Sequence, residues 1–257
     1  MLRIAICDDE ENARDILRIQ LEKIMDETED EIVYEFSNGR TCVNWITAHP
    51  GEVDLLFLDV EMGTENGMDT ARKIRRSSCS LQIVFVTGYT DYVFDGDSHT
   101  PLKEDDPTAP YTAYGRTKLA GEEALRRILP HGSVILRTAW LYSPYGHNFV
   151  KTMLRLASEH KNINVVADQI GSPTSALPLA RAVMTVVDHQ QWLPGIYHVT
   201  DAGVASWYDL AVATLRMAGK DCHVTPVTTA QYPTPARRPY YSLLAKEKFT
   251  STFGIAL

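Results

Sequence analysis

The first 38 residues of this chain contain no glycine. That absence restricts ligands, because a nucleotide phosphate held just after a first β-strand needs a tight turn of backbone N–H groups, and glycine is what permits so close an approach. Cysteine is scarce too. Cys7, Cys42, Cys79 and Cys222 lie far apart, with no CxxC pair and no Cys/His cluster, so no structural zinc is implied and they read as small buried hydrophobes in a reducing cytosol. Basic charge is not in excess. The formal net charge is −8 and the pI is near 5.5, with Lys and Arg interspersed among acids apart from short pairs such as Arg75-Arg76 and Arg237-Arg238. A broad nucleic-acid-binding patch is therefore disfavoured. No apolar run approaches the roughly 18 residues of a membrane span, and no basic-then-apolar leader precedes the first strand, so a soluble cytoplasmic protein is expected. Internal repeats and low-complexity segments are absent as well.

What is present is 257 residues of 44% apolar composition, enough for one large α/β domain or two modest ones. Leu2–Cys7 reads as a short apolar strand, and Ala13, Leu17, Leu21 and Ile24 fall on one face of a following helix. Ile32–Phe36 is a second strand and Thr41–Thr47 a second helix. Val53–Leu58 and Gln82–Thr87 are continuous apolar runs, as in strands covered on both faces, with a helix around Met68–Arg75 between them. A Pro- and acid-rich loop, Thr100–Pro110, precedes a long helix at Tyr114–Leu129 and another buried strand at Val134–Trp140. Further on, Phe149–Ser158, Leu177–Val187 and Trp207–Met217 suit helices, and Asn164–Ala167 and Ile196–Thr200 short strands. Strands alternating with helices predict a parallel sheet, hence an α/β, doubly wound fold with a smaller C-terminal substrate-binding α/β lobe.

In such a sheet Asp8 and Asp9, which follow the first strand, Asp59 at the end of the third and Thr87 at the end of the fourth all reach the carboxyl edge. Crowded carboxylates repel one another unless a hard divalent cation neutralises them, which makes Mg²⁺ chemically reasonable. Taken alone, Asp8-Asp9 reads as a helix cap that meets water; Asp59 and Thr87 at matching strand ends reverse that reading. The whole set resembles the receiver domain of two-component response regulators, especially those of the LytTR type. The resemblance implies Asp59 as phosphoacceptor, Mg²⁺ held by Asp8, Asp9 and Asp59, Thr87 hydrogen-bonded to the phosphoryl group, and a sensor histidine kinase as partner. The pattern then departs: where the family carries Lys-Pro, this chain has Glu104-Asp-Asp-Pro107, Lys103 sits in a loop, and no LytTR output domain follows.

Tyr114-Gly-Arg-Thr-Lys118 places a phenol and an ammonium one helical turn apart on one face. The ammonium can lower the phenol's pKa and hold a ribose, so that the Tyr donates a proton to a carbonyl. From Thr90-Asp-Tyr-Val-Phe-Asp-Gly96 onward, the ordered segments YGRTK, Val134–Tyr142, Asn148–Lys151, Val166–Thr174, Gly195–Thr200 and Pro233–Pro239 resemble the C-terminal two-thirds of dTDP-4-dehydrorhamnose reductase, an extended short-chain dehydrogenase/reductase. The resemblance implies Thr90, Tyr114 and Lys118 as a catalytic triad, Tyr114, Lys118 and Thr138 against an NADPH or NADH cofactor, and Trp140, Asn148, Lys151 and Arg237 against the nucleotide-sugar. For the last four, packing in the core or at the rim is an equal alternative. His147, His198 and His223 sit in no nucleophile or metal arrangement and read as ordinary histidines.

The chain thus reads as a chimera, receiver-like over 1–96 and reductase-like over 90–257, joined at the heptapeptide that suits both. Receivers order their strands 2-1-3-4-5 and dinucleotide folds 3-2-1-4-5-6, so a composite sheet is expected with Val134–Leu141 paired in parallel beside Gln82–Thr87. Where the reductases have a Gly-rich turn for the NAD(P) pyrophosphate, this chain has Asp8-Asp9-Glu10. An anion ~5 Å from each of two carboxylates is opposed by about 3 kcal/mol apiece at an effective dielectric of ~20. Three functions are consistent with these residues: reduction of the 4-keto group of a dTDP-6-deoxyhexulose, a phosphoacceptor signalling module, or a catalytically silent nucleotide-sugar binder.

Overall fold

The computed structural model describes residues 2–25, 29–59, 61–62, 65–78, 81–86, 93–94, 98–128, 130–234 and 238–257. Strand β1 (Arg3–Cys7) is apolar at consecutive positions, and Ile4, Ala5, Ile6 and Cys7 are fully buried, the state of a strand covered on both faces. Helix α1 (Glu11–Met25) follows, then β2 (Glu31–Phe36), α2 (Gly39–Ala48) and β3 (Leu55–Asp59). A small antiparallel hairpin of β4 (Glu61–Met62) and β5 (Glu65–Asn66) leads to α3 (Gly67–Ser77) and β6 (Gln82–Val86). β1 pairs in parallel with β2 and β3, and β3 with β6, in the order β2-β1-β3-β6. That is the parallel sheet expected from the apolar runs.

Local chemistry sets the boundaries. Asn38, in extended conformation, accepts the Thr41 N–H at 2.9 Å, so α2 starts at Gly39, ahead of the apolar pattern that begins at Thr41. Arg3 donates from Nε and Nη2 to the two carboxylate oxygens of Asp54 at 3.0 and 2.9 Å, clamping the start of β1 to the entry of β3. Cys7 and Cys42 are buried, as expected, and the hydrogen bond with Cys7, together with burial, raises the Cys42 thiol pKa. Cys222 is only half-buried, and Cys79 lies outside the described residues.

The remaining elements are α4 (Ala113–Ile128), β7 (Val134–Arg137), β8 (Leu141–Tyr142), α5 (Phe149–Glu159), β9 (Asn162–Val166), β10 (Ile170–Gly171), β11 (Thr174–Ser175) and α6 (Ala176–Val187), then β12 (Gly195–His198), β13 (Ala205–Ser206), α7 (Trp207–Met217), β14 (His223–Val227) and α8 (Glu247–Phe253). Two compact units divide the chain: Met1–Thr87 with Ala120–Ile135 and Val187–Gly195, and Gly88–Leu119 with Leu136–Val186 and Ile196–Leu257. In the second, α5 and α7 cover the parallel β9–β14 ladder, burying Met153, Ile163, Val165, Ala211, Leu215 and Val224. Pro226 interrupts the ladder donors of β14 and hides the strand in the sequence, a loss tolerable in a two-stranded pair with open outer edges. Among the described residues, no helix is long and apolar enough to cross a membrane.

The expected pairing of Val134–Leu141 beside Gln82–Thr87 is not formed among the described residues. β6 has β3 as its neighbour, β7 pairs with β12, and the strand that was expected to run on to Leu141 stops at Arg137. The break has a backbone cause. Trp140 has φ 51°, a left-handed conformation that cannot continue a strand, and Leu141–Tyr142 departs as β8 to pair in parallel with β11.

The ends of β7 and β12 are pinned by a buried polar network. His198, 0% exposed, has Nδ1 at 3.0 Å from the Leu102 carbonyl and Nε2 at 3.4 Å from Arg137 Nη1, while its backbone N–H donates to Glu104 Oε1 at 2.9 Å. The Arg137 guanidinium also lies over the Phe94 ring, 5.1 Å from its centroid. Neutral His198 meets both demands, its Nδ1–H donating to Leu102 and its Nε2 accepting from Arg137. Burial, reinforced by the Arg137 charge, depresses its pKa from 6.5 to about 3. The unfolded chain therefore binds a proton that the folded chain refuses between those values, so stability is full above about pH 6.5 and falls as the pH drops towards 3. In urea unfolding from pH 6 to 5, the wild type should lose about 1 kcal/mol more than His198→Gln. Equal losses in the two proteins would remove His198 as the cause.

Candidate functional site

The candidate residues fall into two groups, one in each unit. In the first, the carboxyl ends of β1 and β3 bring Asp8, Asp9 and Asp59 together, with one carboxylate oxygen of each within 4.8 Å of the others. Thr87 lies outside the described residues. Asp8 Oδ1 accepts the Glu10 N–H at 2.8 Å, and Arg14 Nη1 donates to the Asp8 carbonyl at 2.6 Å. Burial raises the Asp8 carboxyl pKa, and the Asp9 and Glu10 charges push the same way, against the pull of the Glu10 N–H and Arg14. The local field is already negative before any ligand arrives. Such a donor set suits a hard cation rather than an anion.

The same observations test the dinucleotide that the reductase pattern implies. A pyrophosphate at the end of β1 would need free backbone N–H groups at the start of α1. The Glu10 N–H is taken by Asp8, α1 opens with an acidic residue, Glu11, and no glycine brings the backbone close. The residues present do not fit a dinucleotide pyrophosphate.

In the second unit, Thr112 Oγ1 accepts the Gly115 N–H at 2.9 Å and closes the first turn of α4, on which Tyr114 and Lys118 stand one turn apart. Lys118 is 7% exposed, unusual for a lysine and sustained by partners. The Tyr114 side chain, Thr90 and Arg237 lie outside the described residues. Thr138 follows β7 and is buried.

Trp140, 4% exposed, is the one described non-glycine residue with positive φ, at 51°. For so bulky a residue this costs on the order of 1–2 kcal/mol. Its carbonyl accepts the Thr174 N–H at 3.1 Å, and its indole stacks on Trp207 with centroids 3.8 Å apart and planes at 10°. Asn148 is the N-cap of α5. Its Oδ1 accepts from the Lys151 N–H at 3.1 Å and its Nδ2 donates to the Ser143 carbonyl at 2.6 Å, so its amide is engaged in shaping the loop. Lys151 is exposed, with Nζ donating to the Pro144 carbonyl at 3.2 Å. In the sequence Trp207 reads only as a helix start. The Ser206-Trp-Tyr-Asp209 capping box was the available sign that its ring is held in a fixed direction.

Residues 66–257 match the family model described as RmlD substrate binding domain, and residues 4–96 match that of the response regulator receiver domain. The chain belongs to the RmlD substrate binding domain family. The family match reaches upstream of Thr90, where the reductase-like portion was expected to start. The chain is 42% identical over 198 residues to a dTDP-4-dehydrorhamnose reductase of Sinorhizobium fredii, covering 74% of this chain and 67% of that one. It spans 54 to 63% of the length of seven further curated relatives. Among solved structures, a dTDP-4-dehydrorhamnose reductase of Clostridium acetobutylicum is similar at TM-score 0.83 and 31% identity, over 98% of this chain and 93% of that one. The Bacillus anthracis reductase in complex with NADP is similar at TM-score 0.79 and 29% identity, over 100% and 94%. The fold is thus the α/β, Rossmann-like parallel-sheet type of this family, including the stretch whose sequence follows the receiver pattern.

Neutralising the acidic edge should remove the electrostatic part of the barrier to the dinucleotide. In EDTA, the double variant Asp8→Asn, Asp9→Asn, which keeps side-chain shape and the Glu10 acceptor, should bind NADPH at least about tenfold more tightly than wild type by fluorescence titration. An unchanged affinity would show that the carboxylates are not what opposes the cofactor.

Proposed function

We propose that this chain recognises a dTDP-linked 6-deoxyhexulose through its reductase-like portion, with Tyr114 and Lys118 addressed to the sugar's 4-keto group. In this reading Tyr114 donates a proton to the carbonyl oxygen, Lys118 lowers the phenol's pKa, and Thr90 supports them. Thr138 lines the cofactor side, and Lys151 and Arg237 offer cations to the diphosphate. Asn148 shapes the turn that presents Lys151, and Trp140 walls the sugar side. The observation that carries the reading is the buried Lys118, one helical turn after Tyr114, in a chain whose residues 66–257 match the family model. NADPH or NADH would supply the reducing equivalents for reduction at C4, as in the dTDP-rhamnose-forming reductases; the β1 edge of this chain does not fit it. Sugar-nucleotide binding is therefore the activity proposed for the chain as it stands, with reduction held back at the acidic edge.

Calorimetry with dTDP-rhamnose and with NADPH separately tests this. The sugar nucleotide should bind, with NADPH at least about 100-fold weaker. With dTDP-4-dehydrorhamnose and NADPH, absorbance at 340 nm should fall no faster than in Tyr114→Phe. Absence of heat with dTDP-rhamnose would sink the reading, and turnover above the Tyr114→Phe control would sink the claim that reduction is held back.

A second reading has its own support in the convergence of Asp8, Asp9 and Asp59 and in the match of residues 4–96 to the receiver model. We propose it as the alternative: a division of the chain into 1–96 and 90–257, with Mg²⁺ at the three carboxylates, Asp59 accepting a phosphoryl group assisted by Thr87, and a sensor histidine kinase as donor. Acetyl phosphate with Mg²⁺ should then add one acid-labile phosphoryl group to the intact mass, lost in Asp59→Asn. A mass that never changes rules this alternative out.

A further inference from the structure

Trp207 touches both segments assigned to the nucleotide-sugar. It opens α7 behind Ser206, whose hydroxyl accepts the Asp209 N–H at 3.0 Å while the Asp209 carboxylate accepts the Ser206 N–H at 2.8 Å. This reciprocal cap fixes the first turn and with it the direction of the indole. One contact is the stack on Trp140. Another is Phe149, the first residue of α5, whose ring centroid lies 4.6 Å away at 48°. Phe149 directly follows the Asn148 cap, and Lys151 stands in the same turn. A single ring therefore spans from the Trp140 loop to the Asn148–Lys151 turn.

Trp140 is closed in from a further direction. A Cβ on Gly171 would lie 2.7 Å from Trp140 Cε2 and 2.7 Å from Ser242 Oγ, so only glycine fits behind the indole. Gly171 is itself held by the antiparallel pairs Ile170 with Ser206 and Gly171 with Ala205, the strand that runs into Trp207. The left-handed Trp140 cannot relax without moving Trp207. Strain of this kind persists only where the surroundings over-determine it.

We propose that Trp207 is a positioning residue of the nucleotide-sugar site, fixing Trp140 and the Asn148–Lys151 turn relative to one another. The proposal rests on the reading that this region takes a dTDP-linked sugar. Its test compares wild type, Trp207→Leu, Trp207→Phe and Phe249→Leu. Phe249 is a buried ring packed against Phe253, centroids 5.0 Å apart, and serves as a control for general loosening. Three quantities are measured: the calorimetric Kd for dTDP-rhamnose, the exciton couplet that two stacked indoles give in circular dichroism, and Tm.

Trp207→Leu should lose the couplet and weaken dTDP-rhamnose by at least about tenfold, and Trp207→Phe, which keeps a ring against Trp140, should recover most of the affinity without the couplet. Phe249→Leu should lower Tm by a similar amount with Kd within about twofold of wild type. A Trp207→Leu protein that binds as well as wild type overturns the proposal. So does a Phe249→Leu protein that loses affinity in proportion to its Tm. If Trp207→Leu does not fold, Gly171→Ala makes the test from the other side by driving the Trp140 ring: weaker binding with an altered couplet supports the proposal, and unchanged binding with an altered couplet overturns it. A wild type that binds no dTDP-rhamnose overturns the ligand reading and this proposal together. A wild type that binds, with binding indifferent to these variants, overturns this proposal alone.

Discussion

A parallel sheet of continuous apolar strands has to be covered on both faces, and the first unit is built around that constraint. Ile4, Ala5 and Ile6 of β1 and Leu55, Leu56 and Leu58 of β3 are fully or almost fully buried, which helices on the two sides make possible. Because each strand returns through a helix to run in the same direction, the carboxyl ends of all four collect at one edge. Polar residues that end these strands are thereby brought together across large sequence separations. Asp8 and Asp59 meet for that reason and not because of any local affinity.

What that edge accepts is decided by charge. Doubly wound sheets bind ligands at their carboxyl edge whether the ligand is a dinucleotide or a cation with a phosphoryl group, so the fold leaves the choice open. Three carboxylates and an acidic start to α1 weigh against an anion there. The family match of residues 66–257 and the receiver match of residues 4–96 are compatible on the same backbone for this reason. Both families use a parallel sheet with one ligand edge, and they differ in the residues placed on it.

The second unit solves a different problem, holding irregular segments in place without a large sheet. Among the described residues its sheets are two-stranded pairs, and β8, β10, β11 and β13 are only two residues long, too short to define a site by their ladders alone. Rings and buried polar groups take over. The Trp140–Trp207 stack and the Arg137–His198–Leu102 network are two fixed points, one aromatic and one hydrogen-bonded, and the second sits where β7 and β12 end. Neutral His198 is required by that second point, since an imidazolium could not accept from Arg137.

Much of this was legible in the residues themselves. The apolar runs at Leu2–Cys7, Val53–Leu58 and Gln82–Thr87 announced buried parallel strands, the helices from Phe149 and Trp207 fell where periodicity put them, and Asp8, Asp9 and Asp59 were legible as one edge because strand direction follows from the alternation of elements. The YGRTK spacing placed Tyr114 and Lys118 on one helical turn, a purely local property. The end of β7 was not legible. Val134–Trp140 carries no proline or glycine to stop a strand, and the left-handed turn at Trp140 exists only because Trp207, Gly171 and Thr174 close around it from distant parts of the chain. Nor could the partner of β7, the role of Asn148 as a cap, or the neutral state of His198 be read in advance. Periodicity and charge are written residue by residue and so survive in the sequence, whereas strain, stacking and the pKa of a buried group depend on which distant atoms exclude water, and only the tertiary structure decides that.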